Sequence, residues 1–380
     1  MLIKESNLEK FIPVNEPDLS GNEKKYLQEC IDTGWISSEG PFVEKFESGM
    51  AHLCKRKHAF AVSNGSAALE LAVKALEIRP GDEVIMPTFT IISCALAVIR
   101  AGATPVYVDA DPVTWNMKVE DIESLINRKT KAIMAVHIYG LTVDMDPLLG
   151  IAKKYNLKVI EDAAEVIGQT YKGKPCGSFG DISTFSFYPN KHITTGEGGM
   201  VLVNDEELSE KCKSLRNLCF GKKDRFVHEE YGWNFRMSNL QAAVGVAQLE
   251  RLPQTIEKKR EIGKIYHQHL NESKYFTLPL PQTDYCENIY WVYGIMISDD
   301  LKGDATIITN KLAKQKIGTR PFFFPMHQQP VFQNMALFSN ESHPHSERLA
   351  KKGFYLPSGL TISAEEINYV SNVLLSIIEP

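Results

Sequence analysis

The chain has 380 residues, of which 43% are hydrophobic and 23% charged, and its formal net charge is −5. This length predicts two or three domains, or one large domain with a smaller companion, and the composition is typical of globular proteins. Disordered, collagen-like and coiled-coil proteins are therefore excluded. Because the 42 basic and 47 acidic residues are interleaved, we do not expect nucleic acid as a partner.

Targeting and membrane signals are absent from the sequence pattern. The longest apolar stretch, near residues 91–99, is far shorter than the roughly 20 residues that a membrane span needs. The N-terminal segment has scattered charges and no apolar block, which argues against a secretory signal. The seven cysteines form no CxxC pair, as is usual for reduced thiols. We therefore expect a cytoplasmic protein with no membrane contact.

Short apolar runs alternate with stretches of helical spacing between residues 58 and 204. The runs cover residues 58–63, 83–87, 104–110, 131–140, 157–162, 181–188 and 199–204, and the main helix candidates are 66–77, 119–128 and 144–155. Runs without polar alternation indicate strands that are buried on both faces. The pattern predicts an α/β fold with a mostly parallel seven-stranded sheet flanked by helices. Functional groups are expected at the carboxyl ends of the strands.

The pattern changes from residue 238 onwards. A long helical stretch, which Pro253 stops or kinks, continues to residue 270. Two strands at 288–297 and 318–327, a helix at 306–315 between them and a closing helix at 364–378 are predicted next. We therefore predict a large α/β domain of residues 1–250 and a smaller C-terminal α+β domain of residues 251–380.

Several common site motifs are missing from the sequence. No GxGxxG follows a predicted strand and no GxxxxGK[ST] occurs, which argues against a nicotinamide-dependent oxidoreductase and against a P-loop nucleotide site. HExxH and GxSxG are absent as well. His267 with His269, and His343 with His345, are spaced so that they would point apart on a helix. No metal site is therefore predicted.

Two segments at strand ends carry polar groups. Residues 63–69 lie between a strand and a helix, where Gly65 permits a tight turn and Ser66 begins the helix. Free N–H groups and a hydroxyl at such a place suit a phosphate, although a serine there can also be a simple helix cap. Asp162 ends the buried run 157–162, where a carboxylate is costly unless a cationic or hydrogen-bonding group meets it. An ordinary turn aspartate is the alternative.

Lys191 lies in a loop rich in glycine and threonine, directly after a buried strand. Partial burial lowers the pKa of an amine and makes it a nucleophile toward carbonyl groups. Residues 232–239 precede the long helix and by themselves indicate only a capped helix start. A phosphate anchor, a strand-end carboxylate and a buried amine are together the parts that a pyridoxal phosphate enzyme needs.

These segments, with residues 34–38, make the chain resemble the DegT/DnrJ/EryC1/StrS family of sugar aminotransferases over almost its whole length. That family belongs to the fold-type I, aspartate aminotransferase-like enzymes. The resemblance implies that pyridoxal phosphate is the cofactor and that Lys191 is its Schiff-base lysine and proton carrier. It also implies that Asp162 keeps the pyridine nitrogen protonated and that Glu165 binds the ring hydroxyl.

Further cofactor contacts follow from the same resemblance. Ser66, the Ala67 backbone and Ser186 match the phosphate ligands of the family. Asn234 matches an asparagine that reaches the phosphate from the other subunit, which implies a homodimer with shared active sites. The family commonly has a residue that stacks an aromatic ring on the cofactor where this chain has Ile91, so an apolar contact is expected there instead.

Lys191 also distinguishes between branches of the family. A related branch of pyridoxamine-dependent 3-dehydratases has histidine at this position, whereas here the lysine is present and His192 follows it. The resemblance therefore implies transamination, with L-glutamate as amino donor. A sugar dehydratase and a non-catalytic, cofactor-binding regulator are the alternatives.

The segments at residues 35–38, 319–327 and 356–358 resemble a branch that aminates C4 of GDP-4-keto-6-deoxy-D-mannose for surface polysaccharides. Within it, Arg320 would bind an anion and His327 a sugar hydroxyl. The substrate-binding residues implied in total are Trp35, Ser37, His192, Arg320 and His327. Aminotransferases for UDP- or dTDP-linked keto sugars, or for an amino-octulosonate, are the alternatives.

Overall fold

The computed structural model describes residues 10–221, 223–301, 303–338 and 340–378; residues 1–9, which begin the segment considered for a secretory signal, lie outside this part. Its helices are α1 (Glu23–Thr33), α2 (Pro41–Leu53), α3 (Gly65–Ala75), α4 (Ile92–Arg100), α5 (Ile122–Leu125), α6 (Met145–Tyr155), α7 (Glu206–Arg216), α8 (Asn239–Leu249), α9 (Leu252–Leu270), α10 (Ala305–Lys314), α11 (Pro330–Asn334), α12 (Pro344–Lys352) and α13 (Ala364–Ile378). Its strands are β1 (His58–Val62), β2 (Glu83–Pro87), β3 (Thr104–Val108), β4 (Thr130–Val136), β5 (Lys158–Asp162), β6 (Thr170–Tyr171), β7 (Lys174–Pro175), β8 (Ile182–Ser186), β9 (Gly199–Val203), β10 (Phe276–Thr277), β11 (Tyr293–Ile297), β12 (Arg320–Pro321) and β13 (Gly353–Leu356).

The larger sheet has seven strands in the order β1-β9-β8-β5-β4-β2-β3. Neighbours from β8 to β3 pair in parallel, whereas β9 runs antiparallel to both β1 and β8. β1 therefore points in the same direction as β8, and the carboxyl ends of six strands meet at one edge. The predicted α/β fold with a mostly parallel seven-stranded sheet is confirmed.

Strand β1 shows why this sheet is apolar on both faces. Phe60 and Val62 pack into one apolar cluster with α3, while Ala59 and Ala61 pack into another with α2. Because successive side chains of a strand point to opposite faces, a sheet covered by helices on both sides needs apolar residues at every position. Strand β1 accordingly carries apolar side chains on both faces from Ala59 to Val62.

The C-terminal part contains a second, antiparallel sheet in the order β10-β11-β13-β12. Helices α9 and α13 pack together beside it, around a cluster that includes Tyr266, Tyr293 and Phe354. Ile12, near the N-terminus, forms a bridge with Ile317 in this part of the molecule. The proposed division of the chain at residue 250 stays a prediction.

The sequence misplaced some element boundaries. The expected helix at 119–128 is a short 3-10 turn at Val119–Asp121 followed by α5, and it ends at Ile126, whose backbone is extended. The helix break expected at Pro253 lies just before that residue, because proline is tolerated in the first turn of a helix and α9 therefore begins at Leu252.

The two predicted strands of the C-terminal part are shorter than expected. The segment 318–327 pairs only at Arg320–Pro321, since prolines 321 and 325 have no N–H to donate to a sheet. The segment 288–297 becomes a strand only from Tyr293, after Tyr290, whose φ of 46° breaks the extended run. The sequence did not predict β13, which pairs with both of these segments.

In the part of the chain that the structure describes, no helix combines the length and the apolar character that a bilayer crossing requires.

Candidate active site

A cavity of about 730 Å³ opens at the carboxyl edge of the larger sheet. β5 and β8 end there as neighbours, β1 ends there on the far side of β9, and each of the three is followed by a segment that the sequence singled out. Predicted residues that line this cavity are Ser66, Ile91, Asp162, Glu165, Ser186, Lys191 and Arg320. The parallel sheet therefore gathers in one place residues that lie far apart in the sequence.

The first turn of α3 and Ser186 form one end of the cavity. A Cβ on Gly65 would lie 2.7 Å from the Ser186 Cβ, so the glycine allows the helix terminus and this serine to approach closely. The first N–H groups of a helix have no intrahelical acceptor and carry a partial positive charge. With the Ser186 hydroxyl beside them, they form a cradle for an anion such as a phosphate.

Two details of this cradle differ from the sequence expectation. The Ala67 N–H donates to Asn64 Oδ1 at 2.9 Å, because Asn64 caps the helix, so in this structure it is not free for phosphate. Ser66 Oγ lies 2.8 Å from Ser93 Oγ, which comes from the start of α4. Ser93 lines the cavity and was not predicted.

Asp162 ends β5 and is only 4% exposed. Its carboxylate accepts the Ala164 N–H at 3.1 Å and the Cys94 thiol at 3.4 Å. No described lysine, arginine or histidine forms an ion pair with it, and burial raises its pKa. A cation placed in the cavity beside Asp162, such as a protonated ring nitrogen, would compensate this buried carboxylate.

Lys191 reaches the cavity from the loop after β8. Its Nζ lies 3.7 Å from Glu165 Oε1 and 3.7 Å from the centre of the Trp291 indole ring. Burial lowers the pKa of Lys191, and the carboxylates of Glu165 and Asp162 oppose that effect. A lowered pKa increases the fraction of neutral amine, which is the form that attacks a carbonyl carbon.

Glu165 lies in the turn after β5 and is almost fully buried. Its Oε2 accepts the Tyr139 N–H at 2.9 Å, and burial raises the pKa of Glu165 to about 7. A protonated carboxyl can donate a hydrogen bond and an ionised one can accept it. Glu165 can therefore pair with a ring hydroxyl in either protonation state.

The other wall of the cavity is apolar, with a cation at its mouth. Ile91, 44% exposed, lies at the start of α4, and Phe323 and Tyr355 line the side that faces the smaller sheet. Arg320 is exposed at the end of this wall and forms no ion pair with any described residue. An unpaired guanidinium at the mouth is suited to an anionic substrate group.

Two of the five expected substrate contacts are buried away from the cavity. His192 Nε2 donates to the Ile289 carbonyl at 3.1 Å, and burial together with the charge of Lys259 lowers its pKa to about 3. His327 Nδ1 lies 2.8 Å from Thr88 Oγ1 and its Nε2 lies 3.1 Å from a Glu347 oxygen. Because both rings face protein groups, this structure does not bring them to a sugar hydroxyl.

Three other predicted residues lie on the surface, outside the cavity. Trp35 and Ser37 belong to an exposed loop that Asn239 ties to the start of α8, through the carbonyl groups of both residues. Asn234 is exposed and forms a backbone bridge with Asn217. Within one chain, these residues do not meet Lys191.

Trp291 is the main site residue that the sequence did not identify. It lies in a segment that reads as a buried strand, so its aromatic ring looked like part of a core. The structure places it in the loop before β11, where it lines the cavity and packs against Lys191. No local sequence signal distinguishes these two roles.

The cavity suits pyridoxal phosphate on the evidence of its own groups. The cradle at Gly65 and Ser186 fits the phosphate, and no described residue gives the buried Asp162 the ion pair that a protonated pyridine would supply. Lys191 offers an amine of lowered pKa to the aldehyde. The three parts lie around one cavity, as a single ligand requires.

Comparison with known proteins agrees with this assignment. Residues 17–375 match the model of the DegT/DnrJ/EryC1/StrS aminotransferase family. GDP-perosamine synthase of Escherichia coli O157:H7 is 44% identical over 95% of this chain and 97% of its own length. GDP-perosamine synthase of Vibrio cholerae is 40% identical over 96% of this chain and 98% of its own.

Solved structures show the same fold. Helicobacter pylori PseC, an aminotransferase involved in the biosynthesis of pseudoaminic acid, superimposes with a TM-score of 0.92 at 27% sequence identity. The match covers 97% of this chain and 100% of that one. The chain therefore belongs to the DegT/DnrJ/EryC1/StrS aminotransferase family, and it is a pyridoxal phosphate-dependent sugar-nucleotide aminotransferase.

Proposed function

We propose that this enzyme transfers the amino group of L-glutamate to C4 of GDP-4-keto-6-deoxy-D-mannose, forming GDP-perosamine for a surface polysaccharide such as O-antigen. The observation that carries the reaction type is the buried Lys191 amine, which lies in the cavity between Glu165 and Trp291. Support for this particular sugar comes from the two GDP-perosamine synthases that are at least 40% identical to nearly the whole chain.

When bound, pyridoxal phosphate supplies an aldehyde that accepts an amine and a ring that withdraws electrons from the reacting carbon. Lys191 would bind this aldehyde through its Nζ and, once released, would carry a proton between the substrate carbon and the cofactor carbon. Burial keeps the pKa of its Nζ below that of a free lysine, which favours the neutral amine that both roles need. Trp291 covers one side of the amine and excludes water there.

The remaining groups orient the cofactor and hold its charges. Asp162 would keep a proton on the ring nitrogen, and Glu165 would bond the ring hydroxyl. The start of α3, with Ser66 and Ser186, would hold the phosphate, and Ile91 would offer the ring an apolar contact. Arg320 binds an anionic group of the substrate at the mouth of the cavity.

We propose further that two copies of the chain share their active sites. Asn234 is exposed and lies outside the cavity of its own chain, which suits a contact with the cofactor phosphate of a partner. Leu19 and Ile31 are more than half exposed and line one groove with Leu240. Apolar side chains grouped on a surface are typical of a subunit interface.

The cytoplasm is the compartment that we propose for the reaction. All seven cysteines are free thiols and all are buried. Unpaired thiols persist in a reducing compartment, whereas secreted proteins commonly form disulfides.

A panel of keto sugar nucleotides tests the substrate. The glutamate-loaded enzyme is mixed with 4-keto and 3-keto sugars that carry GDP, UDP or dTDP, and with a keto-octulosonate, and the products are identified by mass spectrometry and NMR. We expect the highest kcat/KM for the GDP-linked 4-keto sugar, with nitrogen at C4. A clear preference for another carrier, or for C3, would refute this substrate while leaving the family assignment intact.

A further inference from the structure

Lys259 is a buried lysine that the proposed reaction does not use. It lies on α9, only 1% exposed. Its Nζ donates to the carbonyl oxygen of Trp291 at 2.9 Å and to that of Ser358 at 2.6 Å. No carboxylate of the described chain forms an ion pair with it. A charged group buried without a counter-charge is costly.

The two carbonyl acceptors match a neutral amine. An ammonium has three N–H donors and would leave one unpaired here, whereas an amine has two. Burial lowers the pKa of Lys259 to about 7, which agrees with that count. A neutral Lys259 amine can therefore bond both backbone segments, at Trp291 and at Ser358.

Trp291 connects Lys259 to the active site. Its carbonyl binds Lys259, its indole Nε1 donates to the Asn190 carbonyl at 2.7 Å, and the indole ring centre lies 3.7 Å from Lys191 Nζ. Asn190 directly precedes Lys191 in the chain. Lys259 thus binds the backbone of Trp291, and the Trp291 side chain contacts both the Asn190 carbonyl and the Lys191 amine.

We propose that Lys259 is a positioning residue, which holds Trp291 over Lys191 and thereby sets how readily the Lys191 nitrogen binds a proton. The inference rests on the proposed role of Lys191 as the residue that binds the cofactor. The aromatic face of Trp291 stabilises a positive charge on that nitrogen. Loosening Trp291 removes part of this stabilisation and leaves the phosphate cradle and Asp162 untouched.

Other titratable groups around the two lysines set the background for this effect. Lys191 is faced by Glu165, by Asp162 and, from α4, by Cys94. Burial lowers the pKa of His192, the residue after Lys191, to about 3, so this ring stays neutral. In the described chain, the Lys259 amine bonds only to the carbonyl groups of Trp291 and Ser358. A change at Lys259 therefore reaches Lys191 chiefly through Trp291.

The test is a pH titration of the visible absorption of the cofactor-loaded protein. Lys259→Met removes both bonds to the carbonyl groups. We expect the pH at the midpoint of the absorption change to fall by about half a unit or more, because the indole ring no longer stabilises a positive charge on the Lys191 nitrogen. If Lys259→Met does not fold, Lys259→Gln carries the test: its side chain is shorter, so its N–H donors fall short of the two carbonyl groups and the midpoint should fall as well.

Two control variants separate positioning from a general loss of stability. Tyr266→Phe removes another buried bond from α9, to the Pro357 carbonyl at 2.7 Å, without touching Trp291. Lys258→Met changes the half-buried neighbouring lysine, which pairs with Glu261. Both controls should keep the wild-type midpoint, even if Tyr266→Phe melts at a lower temperature.

A double variant shows whether Lys259 acts through Trp291. In a Trp291→Leu background, Lys259→Met should move the midpoint no further. An unchanged midpoint in the single variant, or an equal shift in the Trp291→Leu background, would overturn the proposal. A Lys191→Ala protein that still shows the wild-type pH-dependent band would instead refute the proposed role of Lys191, so the two failures are distinguishable.

Discussion

Asp162 is a carboxylate in surroundings that disfavour its charge. It is buried at the end of β5, and its bonds come from one backbone N–H and one thiol. The larger sheet tolerates this residue because the cavity beside it can admit a cation. The buried carboxylate destabilises the cofactor-free chain, and the same carboxylate would stabilise a protonated ring nitrogen once a cofactor is bound.

Replacing Asp162 by asparagine tests this role. The amide keeps the shape but removes the negative charge that holds a proton on the ring nitrogen, so we expect kcat to fall about 100-fold or more. Asp146→Asn, at a surface aspartate that pairs with Lys172, is the control and should retain wild-type kcat. Near-normal turnover of the Asp162 variant would rule out the assigned role.

Glu165 predicts a pH dependence of stability. Its pKa is raised from 4.5 to about 7 in the folded chain, so the folded state binds more protons than the unfolded state between these values. Stability from this group is fully present below about pH 4.5 and is lost as the pH rises through 7. Glu165→Gln lacks this titration.

Urea unfolding of the cofactor-free wild-type and Glu165→Gln proteins between pH 5 and 8 measures this effect. Over that range, the wild type should lose up to about 3 kcal/mol of unfolding free energy relative to the glutamine variant. Parallel stability curves for the two proteins would show that burial does not raise the pKa of Glu165.

Residues at strand ends were predictable, whereas residues of the opposite wall were not. Asp162 and Lys191 stand out because a charged residue next to a buried strand needs an explanation. Trp291 and Tyr355 are apolar or aromatic residues in apolar surroundings, which is also what a core requires. Only the packing of the smaller sheet against the larger shows that they face a cavity.

At the scale of elements, the start of α3 carries a specific prediction. A methyl group on Gly65 would meet Ser186 at 2.7 Å, so Gly65→Ala must push the serine away from the helix terminus. Losing a hydrogen bond to a charged group should weaken pyridoxal phosphate binding about 10- to 100-fold. Equilibrium dialysis or fluorescence titration of the cofactor measures this loss.

Gly150→Ala is the matched control for that experiment. Gly150 lies within α6, where an added methyl group meets no atom within 4 Å, and alanine is the better helix former. This variant should bind the cofactor like the wild type. Equal cofactor affinities of the two glycine variants would show that the approach of α3 to Ser186 is unimportant.

Most strands of the larger sheet are predictable from hydrophobic pattern, since they are short apolar runs bounded by polar residues. The smaller sheet follows less well. Its outer strand β12 contains Pro321 and pairs over only two residues, and β13 is four residues long. Pairing with distant partners, and not local pattern, makes these segments strands.

At the scale of the whole molecule, net charge is a poor guide to the ligands. A chain of charge −5 repels anions at long range, yet the cofactor and the proposed substrate both carry phosphate. Binding must therefore depend on local groups, namely the N-terminus of α3 and single cations such as Arg320. These groups act over a few ångströms, where the overall field matters little.

Shared active sites predict complementation between two inactive variants. Lys191→Ala removes the amine of its own chain, and Asn234→Asp places a negative charge against the phosphate of the partner. Co-expressed, the two variants form mixed dimers in which one site has neither change, so activity should return to about a quarter of the wild-type value. Activity assays of each variant alone provide the baseline, and no recovery in the mixture would argue against shared sites.

The proposed function requires that this protein move an amino group from L-glutamate to a keto sugar nucleotide by way of Lys191. The most direct measurement is the visible spectrum of the cofactor-loaded enzyme during sequential addition of L-glutamate and GDP-4-keto-6-deoxy-D-mannose, with both products quantified. We predict that glutamate abolishes the visible band, that the sugar restores it, and that 2-oxoglutarate and amino sugar form in equal amounts, whereas Lys191→Ala completes no such cycle. A spectrum that glutamate leaves unchanged, or a band that no keto sugar restores, would contradict the account.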